Sequence, residues 1–217
     1  MASNMKLALI AALSAATVTV SADTIYSAAD PFNTSIYSAK NSATGEIGDE
    51  LVTGDQYNIP RAGFVFTGLN FKYNSNYALT GGLQISIYSV NNRIPDLNNP
   101  LFRVTDDVKQ GNITASVAYN VGDFLLPDRF VVGIKFAGLD ATHDAGLFLG
   151  GHATVGVSGD DVGGDDGAGN WPLVHVTGNF ANFNMTVTGD VPEPTTVALA
   201  SVGAVALGVV AYRRRRK

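Results

Sequence analysis

A chain of 217 residues, 46% hydrophobic and 15% charged, with 24 glycines and no cysteine, is long enough to bury one proper core. It contains nothing from which to build disulfides, Cys-ligated zinc or a thiol nucleophile. Its formal net charge of −5 hides an uneven distribution: Lys6 and the five terminal cations hold six of the 14 basic residues, so residues 23–191 keep 8 basic against 18 acidic ones, a net of −10. Such a body repels phosphate backbones and anionic headgroups, which argues against nucleic acid as a partner.

The chain opens with a positive residue, Lys6, and a small-residue and apolar stretch from Leu7 to Val20. Val20-Ser21-Ala22 then offers an A-x-A-like processing site before Asp23. This pattern predicts a secretion signal over residues 1–22, cleaved between Ala22 and Asp23. The alternative, an amino-terminal membrane helix, is weakened by Ser14, Thr17 and Thr19 within the run. With the leader removed, residues 23–191 form the exported body.

Residues 23–59 are dominated by Ser, Thr and Asn, and read as loop with one or two edge strands. Beyond them the hydrophobic period is two. Phe64 and Phe66 begin it; Leu69, Phe71 and Tyr73 continue it, with Asn70 and Lys72 on the other face. Leu83, Ile85 and Ile87 alternate with Gln84 and Ser86, after which Tyr88 breaks the phase, and a bulge near Ile87 is predicted there. Ile113 to Tyr119, Phe130 to Phe136 and Phe183 to Val187 repeat the alternation, and no helical pattern of comparable length appears. Turn-forming pairs such as Gly81-Gly82, Asn91-Asn92 and Gly122-Asp123 fall between the runs. The fold class expected is all-β, a single β-sandwich or jelly-roll-like domain of about eight to ten strands.

The most unusual part of the body is Gly156 to Asn170, where carboxylates alternate with glycine. Asp160, Asp161, Asp165 and Asp166 are the candidates for a calcium site, since Ca²⁺ accepts six to eight oxygens in irregular geometry. The EF-hand spacing is absent and only one Gly/Asp copy is present, so a solvated loop is the stronger reading. Apart from calcium no cofactor is expected. His143, His152 and His175 lack metal-ligand spacing and are assigned to the surface. Asp106-Asp107 and the acids from Asp140 to Asp144 read as surface turns. The single tryptophan, Trp171, is a candidate for stacking on a sugar ring, with packing over the end of the sandwich as the commoner alternative. Neither a Gly-x-Ser-x-Gly elbow nor a phosphate-cradling loop occurs.

The chain closes with Val191-Pro192-Glu193-Pro194, an uncharged run from Thr195 to Tyr212, and Arg213-Arg214-Arg215-Arg216-Lys217. Eighteen residues at the helical rise of ~1.5 Å span ~27 Å, close to a hydrocarbon core of ~30 Å. The five cations behind the run resist entry into lipid and act as a stop-transfer cap on the cytoplasmic side. Three parts in this order at the terminus resemble the PEP-CTERM sorting signal of surface proteins from Gram-negative bacteria, over residues 192–217. The resemblance implies that Pro192, Glu193 and Pro194 are recognised by an exosortase-type membrane enzyme in cells that secrete polysaccharide. It also implies a membrane-anchored precursor that passes to the cell surface or extracellular matrix.

Within the body, Gly81 to Pro95 resembles the strand and turn of exported β-sandwich modules of the choice-of-anchor type. Together these readings predict a non-catalytic surface or matrix protein. An exopolysaccharide-binding module is the alternative, and a carboxylate-dependent glycoside hydrolase a more distant one.

Overall fold

The computed structural model describes residues 22–54, 63–92, 94–119, 124–175 and 182–190, with the backbone alone at 159–161 and 173–175. Residues 1–21, within the expected leader, and the tail from Val191 onward lie outside the described residues. Among the described residues fourteen strands follow one another: β1 (Asp23–Ser27), β2 (Ile36–Ser38), β3 (Glu46–Val52), β4 (Phe64–Ser75), β5 (Leu79–Asn91), β6 (Ile94–Pro95), β7 (Phe102–Val108), β8 (Gly111–Ala118), β9 (Leu125–Leu126), β10 (Arg129–Phe136), β11 (Ala145–Phe148), β12 (Val157–Gly164), β13 (Leu173–His175) and β14 (Met185–Asp190). A single turn of 3-10 helix, Ala39–Asn41, follows β2, with the Ser38 side chain accepting from the Lys40 amide. Among the described residues no helix is long and apolar enough to cross a membrane.

The strands form two antiparallel sheets. In the first, the long β4 is the spine: β14 pairs with Val65 to Phe71 and β11 with Tyr73 to Ser75, end to end along one edge, while β8 and β9 share the other. β1 and β2 flank β14 and β11. The second sheet runs β13, β12, β3, β10 and β5, with β6 and β7 paired to β5. Between the sheets lie Phe66, Phe71, Tyr73, Phe130, Phe136, Phe183 and the aliphatic residues that alternate with solvent-facing ones along each strand. The period-two pattern therefore put the right side chains inside.

Three details depart from the sequence reading. The phase slip at Ile87-Tyr88 is not a bulge, because β5 pairs with β10 without interruption from Leu83 to Ser89. Both residues are buried, on opposite faces, since this part of the sheet is covered on both sides. A true bulge sits in the first sheet, where Thr188 pairs with Gly68 and Gly189 with Phe66; this carries the core-facing phase from Phe66 to Leu69. Residues 23–59, expected as loop and edge, contain β3, which lies between β10 and β12 and is buried along nearly its whole length.

Candidate functional site

The outer face of the second sheet departs most from plain alternation. Cross-strand register places Gly163, Gly48, Gly133, Ser86 and Arg103 in one row across β12, β3, β10, β5 and β7. In each of these five strands the chain neighbours of the row residue face the core, so the row itself lies outside. Three successive glycines leave a trough, and two aromatic rings fill it. Tyr88 reaches across β10 to donate its hydroxyl to Glu46 Oε1 of β3 at 2.7 Å. A Cβ on Gly133 would collide with that same Oε1 and with the Tyr88 ring. Trp171 lies on Gly163, where a Cβ would collide with the indole Nε1. Trp171, Tyr88 and Val131 form a small apolar cluster, with Val90 and Leu97 at its margin.

Trp171 is therefore 6% exposed. An indole covered in this way has no free face for a sugar ring, and the stacking role expected of it gives way to packing on the sheet. The turn that delivers it explains part of the acidic segment. Asp166 Oδ1 accepts from the amides of Ala168 (2.8 Å) and Asn170 (3.0 Å), and Oδ2 from Asn170 Nδ2 (2.8 Å). Asp165 Oδ1 accepts from the Gly167 amide at 2.9 Å. These bonds fold the chain back so that residue 171 returns over β12; those from Asn170 above all hold the Asp166 carboxyl below its usual range.

The first half of the acidic segment is strand rather than loop. β12 runs from Val157 to Gly164, and its register against β3 shifts between Ser158 and Val162, which places Asp160 and Asp161 in a bulge. Their side chains lie outside what is described. Among the described residues no group of three or more acids or histidines is arranged to hold a metal.

The acids that the sequence reading passed over are on β3. Glu46, Asp49 and Glu50 are 4%, 0% and 6% exposed. Glu46 is pushed up from the ordinary carboxylate range by burial, with the Tyr88 hydrogen bond and the Lys135 charge opposing the shift. Tyr88 rises to about 12, chiefly through burial and also because it donates to Glu46. Glu50 is ion-paired with Arg129. Asp49 faces the opposite way, into the sandwich, where Ser158 Oγ (3.2 Å) and the Phe183 amide (3.4 Å) approach its two oxygens. Asn182 is hydrogen-bonded to the same Ser158 hydroxyl.

The remaining predicted acids are peripheral. Asp106 and Asp107 lie on the exposed part of β7 rather than in a turn. Asp140 does organise a turn, accepting from the Thr142 and His143 amides at 2.7 and 2.8 Å and meeting His143 Nδ1 at 2.9 Å. These amide hydrogen bonds, first that from His143, hold its carboxyl far below the usual range. His143 and His152 are exposed as expected, and the His175 side chain is not described.

β14 ends at Asp190, and the Pro-Glu-Pro tripeptide starts two residues later. Residues 190–216 match the PEP-CTERM protein-sorting motif. The PEP-CTERM match contains the tripeptide, the apolar run and the arginine cluster. It implies recognition by an exosortase and sorting to the cell envelope or surface. No curated protein and no solved structure matches the chain, and the resemblance of the body to choice-of-anchor modules is not shown by these comparisons.

Proposed function

We propose that this is a non-catalytic surface or extracellular-matrix protein, exported behind a cleaved leader and processed at its PEP-CTERM tail by an exosortase-type enzyme. The observation that carries the reading is the sorting motif at residues 190–216, joined directly to the last strand of an all-β body. The precursor is held by the apolar run in the inner membrane, and the sandwich serves as a structural or adhesive module outside it.

The internal chemistry of the body supports the non-catalytic part. Each acid of β3 is committed to an internal partner: Glu46 to Tyr88, Glu50 to Arg129, Asp49 to Ser158 and the Phe183 amide. Glu46 and Glu50 share a face but stand four residues apart on one strand, roughly 13 Å at the rise of a β-strand. Paired carboxylates in glycoside hydrolysis work at roughly 5 to 9.5 Å. Burial of Trp171 likewise supports packing over sugar stacking.

Glu193→Ala tests the reading in producing cells. Expected is loss of the protein from the surface and medium, with a precursor retained in the membrane fraction. Normal release of that variant would contradict the assignment of Glu193 to recognition.

A further inference from the structure

Resting on that anchored precursor, we propose that the sandwich stands end-on against the bilayer, and that the end from which β1 and β14 emerge is a membrane-apposed surface. The register decides which end this is. Asp23, the first residue after the expected leader, pairs with Gly189, next to Asp190. β1 begins where β14 stops, so both membrane-directed segments leave from one end of the body.

That end is not free to stand off. From Asp190 to Thr195, where the apolar run starts, five residues reach at most ~18 Å when fully extended. The headgroup layer takes up roughly 5 to 8 Å of this. About 10 to 13 Å is then the largest gap between the sandwich and the lipid surface.

The same end carries exposed apolar side chains from both sheets. Leu125 of β9 pairs with Val65, which pairs with Asp190; Leu125 is 54% exposed. Val157 of β12 pairs with Val52, whose other partner is Arg129. Ile94, 61% exposed, sits on the β5–β6 hairpin just beyond Ser89, the partner of Phe130. The Gly54 amide bonds to the Ile25 carbonyl, tying the two sheets together there. Because the body is strongly acidic, attraction to anionic headgroups does not hold this end in place. The short tether and the apolar rim do.

The absence of cysteine makes the test direct. In full-length precursor reconstituted in vesicles of phosphatidylethanolamine and phosphatidylglycerol, single-cysteine variants carry an environment-sensitive fluorophore, and a headgroup-attached quencher is placed in the lipid. Leu125→Cys and Ile94→Cys report the proposed end. Gln110→Cys reports the far end, since Gly111 pairs with Ser75, ten residues along β4 from Val65 and about 33 Å away. Ala204→Cys reports insertion of the tail, and the emission of Trp171 confirms folding of each variant.

Roughly threefold or more stronger quenching at 94 and 125 than at 110 is expected, because headgroup quenchers act over the depth of the interface. A ten-residue Gly/Ser insertion between Asp190 and Val191 should abolish the difference while position 204 stays in lipid. Equal quenching at 110 and 125, with 204 in lipid, overturns end-on apposition and leaves the anchor reading intact. A solvent-exposed position 204 overturns the anchor reading and the apposition with it.

Discussion

The body and the tail divide the work of this chain in opposite ways. In the body, the carboxylates that matter are engaged by partners within the fold: buried Glu46 holds Tyr88, buried Asp49 sits against Ser158, and exposed Asp166 folds the turn that seats Trp171. In the tail, distinctive residues stand in a fixed linear order that matches a sorting motif. The difference explains why 27 residues are recognisable and the sandwich before them is not: a linear signal is constrained residue by residue, whereas a sandwich needs only the right side chains facing inward.

If that division is right, damage to the body should alter stability without redirecting the protein. The largest such effect is expected from Trp171→Ala, which empties the trough over Gly163 and leaves the apolar cluster open. A loss of roughly 3 kcal/mol in denaturant unfolding is predicted, with surface delivery unchanged so long as the variant folds. A variant that unfolds normally but fails to reach the surface would break the separation.

A smaller effect should come from Tyr88. Its folded pKa of about 12 exceeds the ordinary tyrosine value of 10.0, so the folded state holds its proton more tightly. The stability this contributes is present below about pH 10 and lost as pH rises toward about 12. Tyr88→Phe should flatten the stability profile across that window, measured by unfolding at stepped alkaline pH. An unchanged slope would mean that the phenol is not buried against Glu46.

The smallest effect is expected at Glu46. Burial raises its pKa in the folded state, so the unfolded chain ionises first and stability declines as pH climbs above the ordinary carboxylate range. Glu46→Gln keeps an acceptor for Tyr88, should remain within about 1 kcal/mol of the parent at neutral pH, and should remove that decline. A steep loss of stability in the variant would show that the ionised carboxylate is needed.

How much of this was legible beforehand depended on which face of a strand carried the signal. Wherever one face met the core and the other met water, as along β4 and β8, alternation located the strand directly. It failed at β3, because Glu46-Ile47-Gly48-Asp49-Glu50-Leu51-Val52 carries three acids, and burial of a carboxylate depends on partners far away in sequence. It misplaced the bulge for a related reason. Two adjacent apolar residues mean a slip where one face is wet and mean nothing where both are covered, as at Ile87 and Tyr88. Glycine spacing could have hinted at the trough, since Gly48, Gly133 and Gly163 are row partners, but their alignment exists only once register is known. The calcium reading drew on carboxylates interleaved with glycine, and at Asp165 and Asp166 those carboxylates accept from the amides of the turn before Trp171.

The central claim is that the tail is an address removed after use. Intact-mass measurement of the protein recovered from the cell surface tests it most directly. A mature form that begins near Asp23 and ends close to the Pro192-Glu193-Pro194 tripeptide, without the apolar run and the arginine cluster, is the expected result. A surface-exposed protein whose mass still includes Lys217 would contradict it.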